Sequence, residues 1–412
     1  MGGVSCARTP LPPQLKKTAL RILLSVAVSI AVLAALMWYT DTNPKELFAT
    51  LGELSPWVYL GALGFHMATY TLRAVRFWLL IPRAMRPQLR RIWAISGAHN
   101  LASYVLPAKT GEASWVVYLR AFTGVPSAPG IASLVVSRLL DAAVLACSLS
   151  LACVYLATHG GHGNLEEIAK YGAPLALIGV GLAAITIRGD LLVHLLSKSL
   201  RFARLHKWEL GERLVEKITQ IAHAMREAGR GHRLGVAALL TVPVWFCIFG
   251  FYAMLARGMN IDADLDVALS FPEAIFGSSL AVLANLLPIN GAAGVGTQEL
   301  GWTYGFVMLG IQESRALTVG LAVHFVQLFN VVAVGLFCHL AMKSMARAER
   351  IDFEGLLASG ALNMDKQESE PIDPDSLLES NTDPDDSAGS KAPDKNDETD
   401  SAPPQPSPSA KP

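Results

Sequence analysis

Apolar residues along the chain fall into long blocks instead of the short repeats of soluble helices and strands. Six runs stand out: 19–39, 57–82, 130–157, 171–188, 234–256 and 313–343. A helix needs about 20 apolar residues to cross a hydrocarbon core of roughly 30 Å, so each run predicts a membrane span. The first run is long and lacks a small-residue cleavage site, so it reads as a retained anchor and not a signal peptide. Two further apolar stretches, 93–123 and 266–311, are interrupted by polar and helix-breaking residues. In the first, the runs 93–105 and 112–123 are each too short to cross and predict a re-entrant hairpin, tolerated at membrane depth where broken backbone faces protein or a wet cavity. In the second, 267–287 could cross by itself, although Pro272, Glu273, Gly277, Ser278 and Ser279 weaken it as a plain span. The expected fold class is therefore an all-α polytopic membrane protein.

Composition agrees with this reading: of 412 residues, 52% are hydrophobic and 17% charged, well outside the range of an ordinary soluble domain. Five cysteines show neither a CxxC pair nor a secreted disulfide spacing and read as small core residues. The zero net charge conceals an asymmetry, because from Asp365 onward there are 13 acidic and 4 basic residues, leaving 30 basic and 21 acidic before it. Basic residues are retained on the cytoplasmic side. They precede the first span (Lys16, Lys17, Arg21), follow the second (Arg83, Arg86, Arg90, Arg91), fill 188–233 and follow the last (Lys343, Arg347, Arg350). The loops 40–56 and 158–170 are acidic or neutral. Six spans with both termini in the cytoplasm satisfy every loop.

The expected organisation is a cytoplasmic N-terminus (1–18), a membrane domain (19–345) and an acidic cytoplasmic tail (346–412). Within the membrane domain, halves at 57–188 and 234–343 are joined by an amphipathic segment, 189–233, which fits either helices on the membrane surface or a small soluble hairpin. From 365 on, the tail has too few apolar residues to offset the entropy of ordering and is expected to be disordered. It could serve a protein partner.

The interrupted stretches resemble each other. Residues 100–112 read NLASYVLPAKTGE and 285–299 read NLLPINGAAGVGTQE, and the likeness continues beyond them. Glu112 is followed by Gly124, then by Arg138 and Asp141; Glu299 is followed by Gly310, then by His324 and Gln327, all shifted by about 186 residues. By the charge argument the first copy enters from the cytoplasm and the second from outside. Like elements of opposite orientation, each broken by Gly and Pro, point to an inverted-repeat transporter with its site where the breaks meet.

Glu112 and Glu299 each follow glycine at the start of a short helix, where a carboxylate fits either a cap or a substrate site. At membrane depth its burial costs more than a cap returns. Arg138 and Asp141, three apart on one face, fit a structural ion pair or a substrate contact. Arg73 and Arg76, near the cytoplasmic end of their span, read as snorkelling to headgroups. His324 fits a packed histidine or a proton relay. Asn100 and Asn285 would satisfy backbone freed at the breaks, and Lys109, beside Gly111 and a broken helix, suits an anion. The predicted substrate path is Lys109, Gly111, Glu112, Arg138, Asp141, Asn285, Glu299 and His324. There is no G-x-S-x-G, H-E-x-x-H or P-loop, and the G-A-A-G-V-G of 291–296 precedes no Rossmann strand. Neither enzymatic activity, a cofactor, a metal nor a nucleic-acid partner is expected.

The L-P-A-K-T-G-E ending at Glu112, the S-R-L-L-D holding Arg138 and Asp141, and the L-P-I-N-G-A-A-G-V-G-T-Q-E ending at Glu299 resemble the lysylphosphatidylglycerol synthase transmembrane region, or flippase-like domain, family over about residues 15–345. The resemblance implies a polytopic protein of the bacterial cytoplasmic membrane with lipid translocation as its activity. The family more often has arginine at Lys109 and Gly-Gly at Ala292-Ala293. Full-length synthases carry a soluble catalytic domain after the membrane region; here a short tail follows, so aminoacyl transfer is not expected. The leading expectation is a flippase or transporter of a phospholipid or lipid-linked anion. The alternative is a membrane scaffold acting through its tail and amphipathic segment.

Overall fold

The computed structural model describes residues 31, 34–35, 37–39, 43–159, 170, 172–187, 232–263, 265, 268–286 and 292–348. All regular structure in them is helical. In chain order the helices are α1 (Pro44–Glu53), α2 (Pro56–Leu80), α3 (Leu89–Val105), α4 (Ser114–Thr123), α5 (Ser127–His159), α6 (Gly172–Ile187), α7 (Arg233–Gly258), α8 (Phe271–Leu286), α9 (Thr297–Val307) and α10 (Glu313–Ala348). Short 3-10 segments at Pro107–Ala113 and Ala292–Gly294 mark the two breaks.

Local chemistry sets the boundaries. Asn43 caps α1 by accepting the Lys45 N–H at 3.0 Å, with Pro44 in the first turn. Pro56 opens α2, and Pro82 follows its end, where the residue before a proline avoids helical backbone. At the end of α4, Gly124 takes a left-handed φ of 71° and its N–H returns to the Arg120 carbonyl.

Among the described residues three helices, Ser127–His159, Arg233–Gly258 and Glu313–Met345, are long and apolar enough to cross a membrane. Helix α2 has 25 residues, ample length at about 1.5 Å per residue, but carries Arg73 and Arg76. The described part of α6 has 16 residues, short of a crossing. The expected span at 19–39, the segment 189–231 and the tail lie largely or wholly outside the described residues. Large apolar side chains face outward from the long helices, with Leu239 72% and Leu340 66% exposed, as a hydrocarbon surround requires.

A sequence of long helix, medium helix, break, short helix and long helix occurs twice. The lengths are 25, 17, 10 and 33 residues in α2–α5 and 26, 16, 11 and 36 in α7–α10. Packing is reciprocal: α2 lies along α7, α3 packs on α10, and α8 packs on α5. The segment Ala292–Gly294 also rests against α3, so the second break meets the helix that runs into the first. Small residues permit these approaches. A Cβ on Gly301 or Gly305 of α9 would lie 2.5 Å from the Leu280 or Gly277 carbonyl oxygen of α8. The core is aromatic and aliphatic, including Trp115, Trp302 and Phe306, each at most 1% exposed.

Candidate functional site

Where the two series of helices meet lies a cavity of about 570 Å³. Its lining includes Arg73 and Tyr70 from α2, Asn100 and Tyr104 from α3, Glu112 from the first break, Arg138 from α5, Tyr252 from α7, Asn285 from α8, Ala293 and Gly294 from the second break, and Gln327 from α10. Both interrupted stretches thus contribute to one space.

Its charges are organised in pairs. Arg138 grips Glu112, with Nη2 at 2.6 and 2.7 Å and Nε at 3.1 Å from the carboxylate oxygens. Arg76 grips Asp141 through two hydrogen bonds of 2.7 and 2.9 Å, and also donates to Thr241. Asp141 accepts a further bond from the Trp245 indole at 3.2 Å. Arg138 reaches Asp141 at 3.6 Å and so links the two pairs. Bidentate arginine–carboxylate contacts of this kind are the charged groups a low-dielectric interior tolerates.

Arg76 is 1% exposed, which corrects the snorkelling reading. The carboxylate of Asp141 draws it inward, against the expectation that a guanidinium near a span end turns to the headgroups. Arg73 likewise lines the cavity and makes no hydrogen bond or ion pair with another described residue; its Nε is buried without a partner. Asp141 is near enough for its charge to reach Arg73 but is occupied by Arg76. The described cavity region therefore holds three arginines and two carboxylates.

At the second break, Glu299 stands 2% exposed. One carboxylate oxygen accepts the Gly296 N–H at 2.7 Å, and the other meets His324 Nδ1 at 2.5 Å. Nε2 of the same imidazole faces the Ala293 carbonyl at 3.1 Å. Neutral amides continue the network: Gln298 donates to Gln327 at 2.9 Å, Asn285 to Gln298 at 3.3 Å, and Gln327 to the Tyr104 hydroxyl. Tyr252 donates to Gln327 at 3.2 Å.

Of the predicted path, Glu112, Arg138 and Asn285 line the cavity, and Asp141 lies beside it, held by Arg76 and Arg138. Glu299 and His324 stand one layer behind, supporting Ala293. Gly111 is a packing residue, since a Cβ there would fall 2.2 Å from the Ala102 carbonyl oxygen. The side chain of Lys109 lies outside the described residues. Asn100 donates to the Tyr70 hydroxyl at 2.7 Å and so serves a side chain, not freed backbone. Tyr70 and Tyr104 were not singled out from sequence; an aromatic hydroxyl on an apolar helix resembles ordinary core. Among the described residues no cluster of three His, Cys, Asp or Glu could hold a metal ion.

Long apolar helices, two broken segments and a cavity between them that carries charged and polar side chains among apolar ones define a multi-pass helical membrane protein. The chain belongs to the family described as the lysylphosphatidylglycerol synthase TM region, which matches residues 22–335. It is also similar to the protein named Glycosyltransferase AglD of Haloferax volcanii, at 24% identity over 333 residues. That alignment covers 74% of this chain and 52% of the relative, so the chain spans about half the length of the curated relative it matches.

Proposed function

We propose that this protein carries a phospholipid, or another lipid-linked anion, across a bacterial cytoplasmic membrane. The carrying observation is the cavity in which both broken segments converge around Arg73, a cation with no ion pair among the described residues. A phosphate charge would supply that missing partner through charge-assisted hydrogen bonds, with Tyr70, Tyr104, Asn100 and Asn285 as neutral partners, while the acyl chains stay in lipid.

The matching helix lengths and reciprocal packing support reading α2–α5 and α7–α10 as an inverted-topology repeat. On this reading the two breaks are re-entrant from opposite faces, and six spans complete the domain. The family name and the membrane-lipid setting support a lipid substrate. Its chemistry is movement without bond making, and no enzymatic step is assigned.

The test is translocation of fluorescent phosphatidylglycerol in proteoliposomes, compared at matched amounts of folded protein. Arg73→Gln and Glu112→Gln should each slow it by about 10- to 100-fold, the equivalent of one lost charged hydrogen bond of roughly 1.5–3 kcal/mol. Wild-type rates in both variants would remove the reading. Loss of the cellular phenotype on deleting 365–412, with both variants silent, would favour the scaffold instead.

A further inference from the structure

We propose that Glu299 and His324 form a proton-binding site, making a proton the ion coupled to this protein's cycle. What that proton drives rests on the transport reading; its place in the structure does not.

The argument is one of donors and acceptors. The imidazole of His324 is 3% exposed and lies between two oxygens, the Glu299 carboxylate on Nδ1 and the Ala293 carbonyl on Nε2. A backbone carbonyl can only accept, so Nε2 must carry hydrogen. The Nδ1 contact then needs a second proton. Either Nδ1 is also protonated and donates to an ionised Glu299, or a protonated Glu299 donates to a bare Nδ1. Both arrangements hold one proton more than a neutral imidazole beside a carboxylate. The geometry thus counts the proton without deciding which atom owns it.

Releasing that proton to water leaves one N–H to serve two acceptors. The charged carboxylate is the stronger claimant, and Glu299 is itself fixed by the Gly296 N–H. Nε2 then turns a lone pair toward the Ala293 oxygen, and the contact becomes repulsive. Ala293 is poorly placed to withstand this, since it sits at φ 58°, a left-handed conformation unusual for alanine. Ala293 and Gly294 form cavity wall, so proton release unties one side of the site from α10.

The surroundings leave the dyad its own charge balance. Titratable groups facing it from neighbouring helices are Tyr104 of α3 and Tyr252 of α7, whose hydroxyls meet Gln327 one turn beyond His324. From α8 and α9 the groups are neutral, Asn285 and Gln298. Among the described residues no arginine or lysine makes an ion pair with Glu299.

Glu299→Gln provides the test, because a glutamine amide can accept the Gly296 N–H with its oxygen and donate to Nδ1 with its nitrogen, mimicking the protonated dyad. Full-length protein in lipid nanodiscs would be followed by hydrogen exchange across 293–297, corrected for the intrinsic pH dependence. Wild type should lose protection in a step as pH rises, and Glu299→Gln should stay protected throughout. Superimposable profiles would overturn the proton site. So would ring-nitrogen NMR showing a neutral His324 beside an ionised Glu299 at every pH. In proteoliposomes, an imposed pH gradient should change the rate at which wild type translocates fluorescent phosphatidylglycerol. Translocation indifferent to the gradient would overturn the coupling, whereas absence of translocation would remove the transport reading and leave the exchange result to decide the proton site.

Discussion

Each buried charge in this protein is defined by what it faces, so two arginines one turn apart on α2 should behave oppositely when removed. Arg76→Ala removes the bidentate partner of Asp141, leaving the buried carboxylate only the longer Arg138 contact and the Trp245 indole, and should destabilise by about 3–5 kcal/mol. Arg73→Ala strands nothing, and its thermal midpoint in detergent should stay near wild type while translocation falls. Replacing both partners, Arg76→Met with Asp141→Leu, should recover much of the stability that the single change loses. A recovery no better than the single variant would show that Thr241 and Trp245, which also bond the pair, dominate its energetics. The positions of Glu112, Arg138, Glu299 and His324 were legible in the sequence as nearly equal spacings repeated at about 186 residues, but not their pairing: the spacing suggested Arg138 with Asp141, whereas Arg138 holds Glu112 more closely. The Arg76–Asp141 pair was not legible either, since its partners lie 65 residues apart and span position says nothing of which way a side chain turns.

Helix contacts here depend on residues without side chains. Gly301 and Gly305 let α9 lie against the α8 backbone, so Gly301→Ala or Gly305→Ala forces a Cβ into a carbonyl oxygen that cannot move aside as a flexible side chain would. Each should cost about 1–3 kcal/mol, read as an earlier loss of the monodisperse peak on heating. Gly52, with nothing within 4 Å of a built Cβ, is the control and should tolerate alanine. The sequence marked both breaks through their Leu-Pro and Gly, and the helix limits at 105 and 123 agree with the observed ends of α3 and α4. It did not resolve whether 267–287 crosses. The helix there, Phe271–Leu286, is about 24 Å long at the standard rise, and composition does not distinguish a short spanning helix from a re-entrant one.

For the whole chain, the basic residues flanking the expected spans predict both termini in the cytoplasm, and that prediction can be tested. In a background lacking the native cysteines, a cysteine at Gly161 should react with an impermeant thiol reagent added outside, and one at Ser387 only after lysis. Reaction of both from one side would reverse the assignment of six spans. Under the proposed transport the cavity also lies in an electric field. Moving one elementary charge across a membrane is worth about 2.3 kcal/mol per 100 mV. Arg73, bare of a counter-ion among the described residues, gives an empty site a charge that an anionic headgroup would cancel. Under the proposed transport, and with the Glu299–His324 proton in place, the loaded site would therefore move almost free of the membrane voltage. The empty site would be drawn toward the negative interior, so a living cell's voltage would return each vacated carrier to the cytoplasmic face.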